Sequence, residues 1–420
     1  MLRDQIGFWL SILMLCLLPI ERLMLPFNLR VADFALVLLA VYGLGKAWRT
    51  RQRLVFPLLL PLWLILFSSL IATLVAYAHP DSVMAIVQEV YLFAWFIILT
   101  NVLKSFPSPD LDRLMKIWSV IALAEATIAL MGMLRIGPSI FYTEPGAGPV
   151  SPSAGFSRAV GTFVNPNAAG AYLSISFFVL LATSWPIWLR SVFGIWLLAG
   201  TFGTGSMGAL SSTIASLAVL AVAYPIVKNR QAAMLWGGVV GVGVGVLATM
   251  LFILGIWPSL LSGIGLDTSG QLFAITVGRF PRSLAGRLTI MEQAWSMYSL
   301  HPWGVGPAIS HLHMPIGASL HNDFVAFLVE RGPLGFSGWL WLVGATLLAP
   351  LRTAYQRTDR HQRWQVLALG AGFLACAMNA FTHEVSHFRQ VWVLMAFLFA
   401  VGYAPNVHPT RTIREKRIEL

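Results

Sequence analysis

The sequence predicts an all-α, polytopic membrane protein, and three observations lead there. Of 420 residues, 57% are hydrophobic and only 11% charged, whereas soluble domains carry roughly 25% charged residues. The apolar residues are gathered into runs of about 20, the length that crosses a bilayer as a helix. The basic residues separating these runs alternate between crowded and sparse loops, as membrane topology requires. The net charge of +11 is dispersed over short loops and marks no nucleic-acid-binding face. Cys16 and Cys376 lie in apolar runs, without zinc-site spacing or a disulfide framework. The first run has no signal-cleavage pattern and flows into further spans.

Taken in order, spans are expected near 6–22, 31–47, 54–77, 83–103, 117–137, 167–186, 191–204, 207–227, 233–256, 333–351, 364–381 and 391–405, about twelve in all. Gly200, Gly203, Gly205 and Gly208 interrupt the run 191–227, which reads as two spans or as one broken helix. The glycine-rich run Gly237–Gly245 suits close helix packing. The corresponding organisation is an N-terminal five-span half (1–137), an outer loop (138–166), central spans (167–256), an outer loop subdomain (257–332) between the ninth and tenth spans, C-terminal spans (333–405) and a basic cytoplasmic tail (406–420).

With the N-terminus inside, 19 of the 28 basic residues, every lysine among them, fall on the cytoplasmic side, as the positive-inside rule expects. The nine outer ones are all arginine: Arg22, Arg30, Arg135, Arg158, Arg279, Arg282, Arg287, Arg331 and Arg389. Arginine presents a fixed fork of donors that fits phosphate oxygens. Snorkelling at helix ends accounts for Arg22, Arg30 and Arg135.

The outer stretch from Arg279 to Glu330 concentrates the chemistry. Between two apolar regions it places Arg279, Arg282 and Arg287, and then His301, His311, His313 and His321. A cation beside a neutral imidazole at a membrane surface suits chemistry on a lipid phosphate; a solvated loop is the alternative. Arg287 to Tyr298 reads as a helix, and a new helix is expected from Leu320 to Glu330. His321 and Asn322 open that helix, and Asp323 or Glu330 is positioned to orient the histidine. His301, His311 and His313 lack a carboxylate or thiolate at ligand spacing, so no metal site is expected. Asp110 and Asp112 form a D-x-D pattern in a very short inner loop, where a solvated turn is expected. Glu89 and Glu125, inside apolar spans, are functional candidates or hydrogen-bonded structural acids. They keep open a transporter or flippase of an anionic or lipid-linked substrate, although such a protein would place its charges near the bilayer midplane. Upstream, Arg158 precedes a helix that Asn167 is expected to cap.

Three ordered blocks resemble a known family. They are R-A-V-G-T-F-V-N-P-N-A-A-G-A-Y (158–172), G-R-L-T-I-M-E-Q-A-W with H-P-W-G-V-G (286–306), and S-L-H-N-D-F-V-A-F-L-V-E-R-G-P-L-G (319–335), followed by H-E-V-S-H-F-R-Q-V-W (383–392). Together, over about 150–400, they resemble the O-antigen ligase and O-antigen/exopolysaccharide polymerase superfamily of bacterial membrane glycosyltransferases. The resemblance implies a GT-C-like helical fold in the bacterial inner membrane, with the active site facing the periplasm at the outer leaflet. It implies an undecaprenyl-pyrophosphate-linked glycan as donor, an acceptor glycan (a second lipid-linked glycan or lipid A–core), and neither metal nor cofactor.

In that pattern His321 corresponds to the general base and Arg287 to a pyrophosphate binder, and Arg158 matches the arginine before N-P-N. Arg279, Arg282 and Arg389 are further substrate-binding candidates, with Asn322, Asp323, Glu330 and His383 orienting the base or holding the acceptor. One departure stands out: many members carry S-R-G where this chain has Ser206, Met207 and Gly208. The implied reaction is inverting: His321 takes the proton of the acceptor hydroxyl as it attacks the anomeric carbon. Arginines stabilise the departing pyrophosphate. The H-N-D and H-E-V-S-H-F-R forms resemble the polymerase branch somewhat more than the ligase branch.

Overall fold

A computed structural model describes residues 2–23, 29–143, 158–228, 289–314 and 319–403. The chain is built from helices α1 (Leu2–Leu17), α2 (Val31–Thr50), α3 (Leu59–Val75), α4 (Pro80–Leu103), α5 (Ser108–Met133), α6 (Pro166–Ala182), α7 (Ile187–Gly203) and α8 (Met207–Lys228). Residues 289–300 are also helical. They are followed by α9 (Ser310–His313), α10 (Asp323–Gln356), α11 (Arg360–Asn379) and α12 (Arg389–Tyr403). The described strands are β1 (Tyr142–Thr143) and β2 (Arg158–Ala159), an antiparallel pair with Tyr142 opposite Ala159.

Among the described residues, five helices are long and apolar enough to cross a membrane: α2, α4, α5, α8 over Met207–Tyr224, and α10. Five more are apolar but shorter: α1 over Gln5–Leu17, α3, α6, α7 and α12. The expected span near 233–256 lies outside the described residues; each of the others falls on a helix. The run 191–227 is two helices, because the chain turns at Thr204 to Ser206 through Gly205, whose φ is +61°. Large side chains on α2 (Phe34, Val37, Val41), α3 (Leu60, Trp63, Phe67) and α7 (Val192, Ile195) are exposed. Such apolar surface is a liability in water and the expected finish of a helix facing lipid.

The core lies where α5, α6, α11 and α12 meet. Trp118, Tyr172, Phe178 and Phe397 are fully buried there. The Trp118 indole N–H donates to Ser176 Oγ (2.8 Å), so this large ring is buried without an orphaned donor. α10 packs on α3 and α11, α11 on α6 and α8, and α12 on α4.

The loops sort to two ends. At one, Lys104 Nζ donates to Arg53 O (3.0 Å) and Arg360 Nε to Tyr224 Oη (2.9 Å). At the other, Arg22 Nε donates to Phe163 O (3.1 Å) and Ser82 Oγ to Pro307 O (3.0 Å). The first end carries the loops that the sequence predicts to be cytoplasmic, and the second is called the outer end below.

Several polar residues of the sequence turn out to be staples. Asp112 accepts from Ser184 N (2.7 Å) and Ser184 Oγ (2.6 Å), so it fastens α5 to the α6–α7 turn instead of lying in solvent. Glu125 accepts from Thr162 N (3.0 Å) and Thr162 Oγ1 (2.7 Å). It pins the turn at Gly161, whose φ of +58° leaves no room for a side chain beside that carboxylate. α6 is capped by Asn165, which accepts from Asn167 N (2.8 Å). The expected cap, Asn167, instead turns its side chain to Arg158.

One break shapes the outer end. α10 is interrupted at Gly332 (φ 69°, ψ −174°), just before Pro333. A regular helix would pair the Val329 carbonyl with the N–H four residues on, but proline has none. Val305 N supplies it at 3.1 Å, and Gly306 N donates to Glu330 O at 3.0 Å. The strand-like strap after His301 is thus laid along the kink as its hydrogen-bond partner. Gly304 lets it come that close: its φ is +96°, and an added Cβ would lie 2.4 Å from Glu330 O. Gly304→Ala is therefore expected to detach the strap and lower the melting temperature in detergent more than Gly344→Ala, where nothing lies within 4 Å of the added atom. Equal melting of the two variants would contradict this.

Candidate active site

At the outer end, three segments converge: the strap before α9, the turn at Ser319 to Asn322, and the loop between α11 and α12. Asn322 caps α10, accepting from Val325 N (3.1 Å). The helix therefore starts at Asp323, and His321 sits in the turn before it, with φ +51°. A non-glycine residue rarely takes this conformation, and at functional sites surrounding bonds hold it there. The bond here is from His321 N–H to Glu384 Oε1, 3.0 Å. The His321 ring stacks on His383, with centroids 5.7 Å apart and planes 18° apart. Ser319 Oγ lies 3.2 Å from the ring nitrogens.

The carboxylates expected to orient His321 are directed elsewhere. Asp323 is buried and accepts from Val385 N (2.9 Å), Ser386 N (3.0 Å) and Ser386 Oγ (2.6 Å). Its own N–H donates to Ala380 O (2.9 Å). It moulds the α11–α12 loop around the start of α10. Glu330 accepts from Ala308 N (3.0 Å) and Ser310 Oγ (2.7 Å) and pairs with Arg331 (3.0 Å). The carboxylate that reaches His321 is Glu384, which the sequence reading did not single out. The available signal was H-E-V-S-H, which sets one acid among two histidines.

Glu384 Oε2 also faces His387 Nε2 at 3.5 Å. Burial alone would raise the Glu384 carboxyl; the His387 ring and the His321 N–H outweigh it and hold it at about 2. Burial likewise works against a charged His387, but Glu384 and then Asp323 raise it above its ordinary value, while Arg331 opposes them. The His387 side chain is exposed over 48% of its surface, and it borders two cavities. One, about 250 Å³, is lined by Gln88, Glu89, Phe327, Arg331, Trp339, Ser386, His387 and Trp392 among others. The other, about 230 Å³, is a crevice between Leu29, Met84, Val87, Tyr91, His387 and Arg389; Val87 is 56% exposed. Gln88, Leu92 and His387 are shared by both.

The arginines divide. Arg331 is buried and donates to Glu89 Oε1 (2.7 Å) and Ser69 Oγ (3.2 Å), with Phe327 4.4 Å below its guanidinium. Glu89 is thus an ion-paired wall of the larger cavity. Arg389 forms a two-pronged pair with Asp33 (2.8 and 2.9 Å) at the mouth of the crevice. Arg158 donates to Thr204 O (3.0 Å), Asn167 Oδ1 (2.8 Å) and Gly205 O (3.4 Å), and so ties β2 to the α7–α8 turn beside Met207. Gly208 packs against Thr382 and Asn379, which brings this departure from the family pattern next to the α11–α12 loop. Arg279, Arg282 and Arg287 lie outside the described residues. His301 and His313 rings are 5.8 Å apart. Among the described residues no group of three or more histidines, cysteines and acids is arranged to hold a metal.

Residues 192–340 match the O-antigen ligase family model. None of the curated proteins compared matches the chain. The O-antigen ligase match takes in His321, Asp323, Glu330 and Arg331 and leaves the α11–α12 loop outside it. It supports the resemblance to the O-antigen ligase and polymerase superfamily, and a membrane glycosyltransferase role in polysaccharide assembly.

The loop's stability carries a pH signature. The depressed Glu384 carboxyl stabilises the fold fully above 4.5, its ordinary value, and loses that contribution as pH falls toward about 2. The raised His387 contributes fully below 6.5 and loses it as pH climbs through its higher folded value. The melting difference between the wild type and Glu384→Ala is therefore expected to be largest between pH 4.5 and 6.5 and to shrink on both sides. A difference independent of pH would remove the ion pair from the account.

Proposed function

We propose that this protein transfers a glycan from undecaprenyl pyrophosphate to an acceptor sugar hydroxyl at the periplasmic face of the bacterial inner membrane, with inversion and without a metal. The observation that carries the reading is His321, held in a left-handed turn before α10 inside the matched segment and one carboxylate away from a histidine that opens onto two cavities. A base needs a ring held in a fixed position beside its substrate, and the restrained turn at His321 supports that reading.

In the proposed reaction the acceptor hydroxyl gives its proton to the His321 ring, and its oxygen attacks the anomeric carbon. The bond from that carbon to the pyrophosphate oxygen breaks on the opposite face, and the lipid pyrophosphate leaves as an anion. Positive groups aimed at that oxygen lower the barrier most, because charge develops there. Arg279, Arg282 and Arg287 are the proposed groups, with Arg158 and Arg389 at the margins. Arg389 and Arg331 are already paired with carboxylates, which makes them weaker candidates for the pyrophosphate than Arg279, Arg282 and Arg287. The acceptor is a second lipid-linked glycan, making the protein a polymerase; lipid A–core as acceptor would make it a ligase.

His321→Ala is expected to lower single-turnover transfer by about 10²–10⁴-fold while the protein keeps its melting temperature and still binds undecaprenyl pyrophosphate. The assay is run in EDTA with lipid-linked glycan, with and without lipid A–core. Lengthened glycan identifies a polymerase and glycosylated core a ligase. Near-normal turnover by folded His321→Ala would end its assignment as the base, and activity restored by one divalent ion would end metal independence.

Arg287→Ala is expected to weaken undecaprenyl pyrophosphate binding by about 1.5–3 kcal/mol, the worth of a charge-assisted contact. Arg22→Ala, whose guanidinium holds Phe163 O, is expected to change it little. Equal effects would mean that the outer arginines serve topology alone.

A further inference from the structure

We infer that Glu384 is the positioning residue of the proposed base, and that His387 sets the strength of its grip. The inference rests on His321 as the base and adds the carboxylate and second imidazole that act through it. The geometry is a chain of three groups: His321 N–H to Glu384 Oε1 at 3.0 Å, and Glu384 Oε2 to His387 Nε2 at 3.5 Å. Each carboxylate oxygen has a separate task. Oε1 holds the backbone of His321 in the turn at φ +51°, which a side chain of this kind occupies only under restraint. That restraint fixes where the imidazole stands against His383. Oε2 faces His387, which lines both cavities.

The electrostatic consequence follows from the same contacts. When His321 accepts the acceptor's proton it becomes an imidazolium, and Glu384, which interacts electrostatically with His321, stabilises it. A carboxylate within reach of an imidazole makes it a stronger base, typically by one or more pH units. His387 draws on the same carboxylate, and its positive charge subtracts from what His321 feels. Other charged and titratable groups surround the chain. Asp323 and Arg331 act from α10, and His383 stacks on the base from the α11–α12 loop. Arg389, at the start of α12, is paired with Asp33 of α2. Asp323 accepts from two backbone N–H groups and a hydroxyl of the α11–α12 loop, whereas Glu384 accepts from the backbone N–H of His321.

The arrangement predicts shifts of opposite sign. Glu384→Gln keeps an oxygen to accept the His321 N–H, so the turn persists, but it removes the charge; the His321 pKa is expected to fall by about one pH unit. His387→Gln leaves Glu384 charged and removes the competing cation; the His321 pKa is expected to rise. A merely structural role for the loop would not move the two in opposite directions.

The experiment is a carbon-13 histidine NMR titration of the full chain in nanodiscs, with the His321 resonance identified by its loss in His321→Gln. It needs no substrate, so its outcome is independent of whether the transfer reaction is the right one. Thermal melts show which variants are folded, and the His387→Gln arm stands alone should Glu384→Gln unfold. In the transfer assay Glu384→Gln should lower kcat by about tenfold or more, leave the donor KM within about threefold, and move the acidic limb of the pH profile to lower pH. An unmoved His321 titration, or shifts of the same sign in both variants, would overturn the inference. Full transfer by His321→Ala would instead overturn the reading it rests on.

Discussion

The outer half of the molecule depends on one buried cation, Arg331. It stands at the break in α10 and is bound by Glu89 of α4, Ser69 of α3 and its neighbour Glu330. An unpaired charge at this depth would cost several kcal/mol, so the positions of α3, α4 and α10 are coupled: moving any of them strips the guanidinium of a partner. Glu330 carries the coupling outward, because it also holds Ala308 N and Ser310 Oγ of the strap. The aromatic lining of the larger cavity is aligned by the same residue, with Phe327 beneath the guanidinium and Trp339 stacked on Phe327 at 4.5 Å. Breaking such a network by removing one partner is strongly destabilising, whereas its function here is to fix geometry at the cavity wall.

Charge on the described side of the site is uneven. Glu89, Glu330, Asp323 and Glu384 face Arg331 and His387, while Arg389 is matched by Asp33. Such a surface suits holding a base, a proton and sugar hydroxyls better than it suits gripping a pyrophosphate alone. The two demands of the proposed reaction therefore fall on different parts of the chain. Acid–base work falls to the residues around α10 and the α11–α12 loop. Anion stabilisation is the role proposed for the arginines between 279 and 287.

Much of the fold was legible in the sequence because lipid imposes one strong rule: apolar runs of sufficient length become helices whose backbone bonds are internal. The split of 191–227 was left open because glycines permit either a kink or a turn, and the left-handed Gly205 decides for the turn. The site was only half legible. Histidine at 321 and the following Asn322 were readable from local pattern, since a cap and its helix are neighbours in sequence. The same local pattern points to Asp323 and Glu330 as orienters, but both carboxylates bind other segments. Both are on or beside a helix whose free partners come from segments far away in the chain, and each is consumed there. Glu384 is 63 residues from the turn it holds; no spacing rule reaches that far. Asp112 and Asn167 were misplaced likewise, because a polar residue near a loop can serve a neighbouring element as readily as the solvent.

Proline at 333 has a consequence for traffic through the site. By withholding an N–H from Val329, it makes the strap after His301 a permanent part of the helix's own bonding. Lifting the strap would uncover the carbonyls of Val329 and Glu330 and the buried Glu330 carboxylate together. Each stripped group costs about 1–3 kcal/mol, so the strap behaves as a fixed wall. Among the described residues, the crevice between Leu29, Val87 and Arg389 has no part of the strap in its lining. A ligand entering by that crevice would meet His387 without displacing the strap.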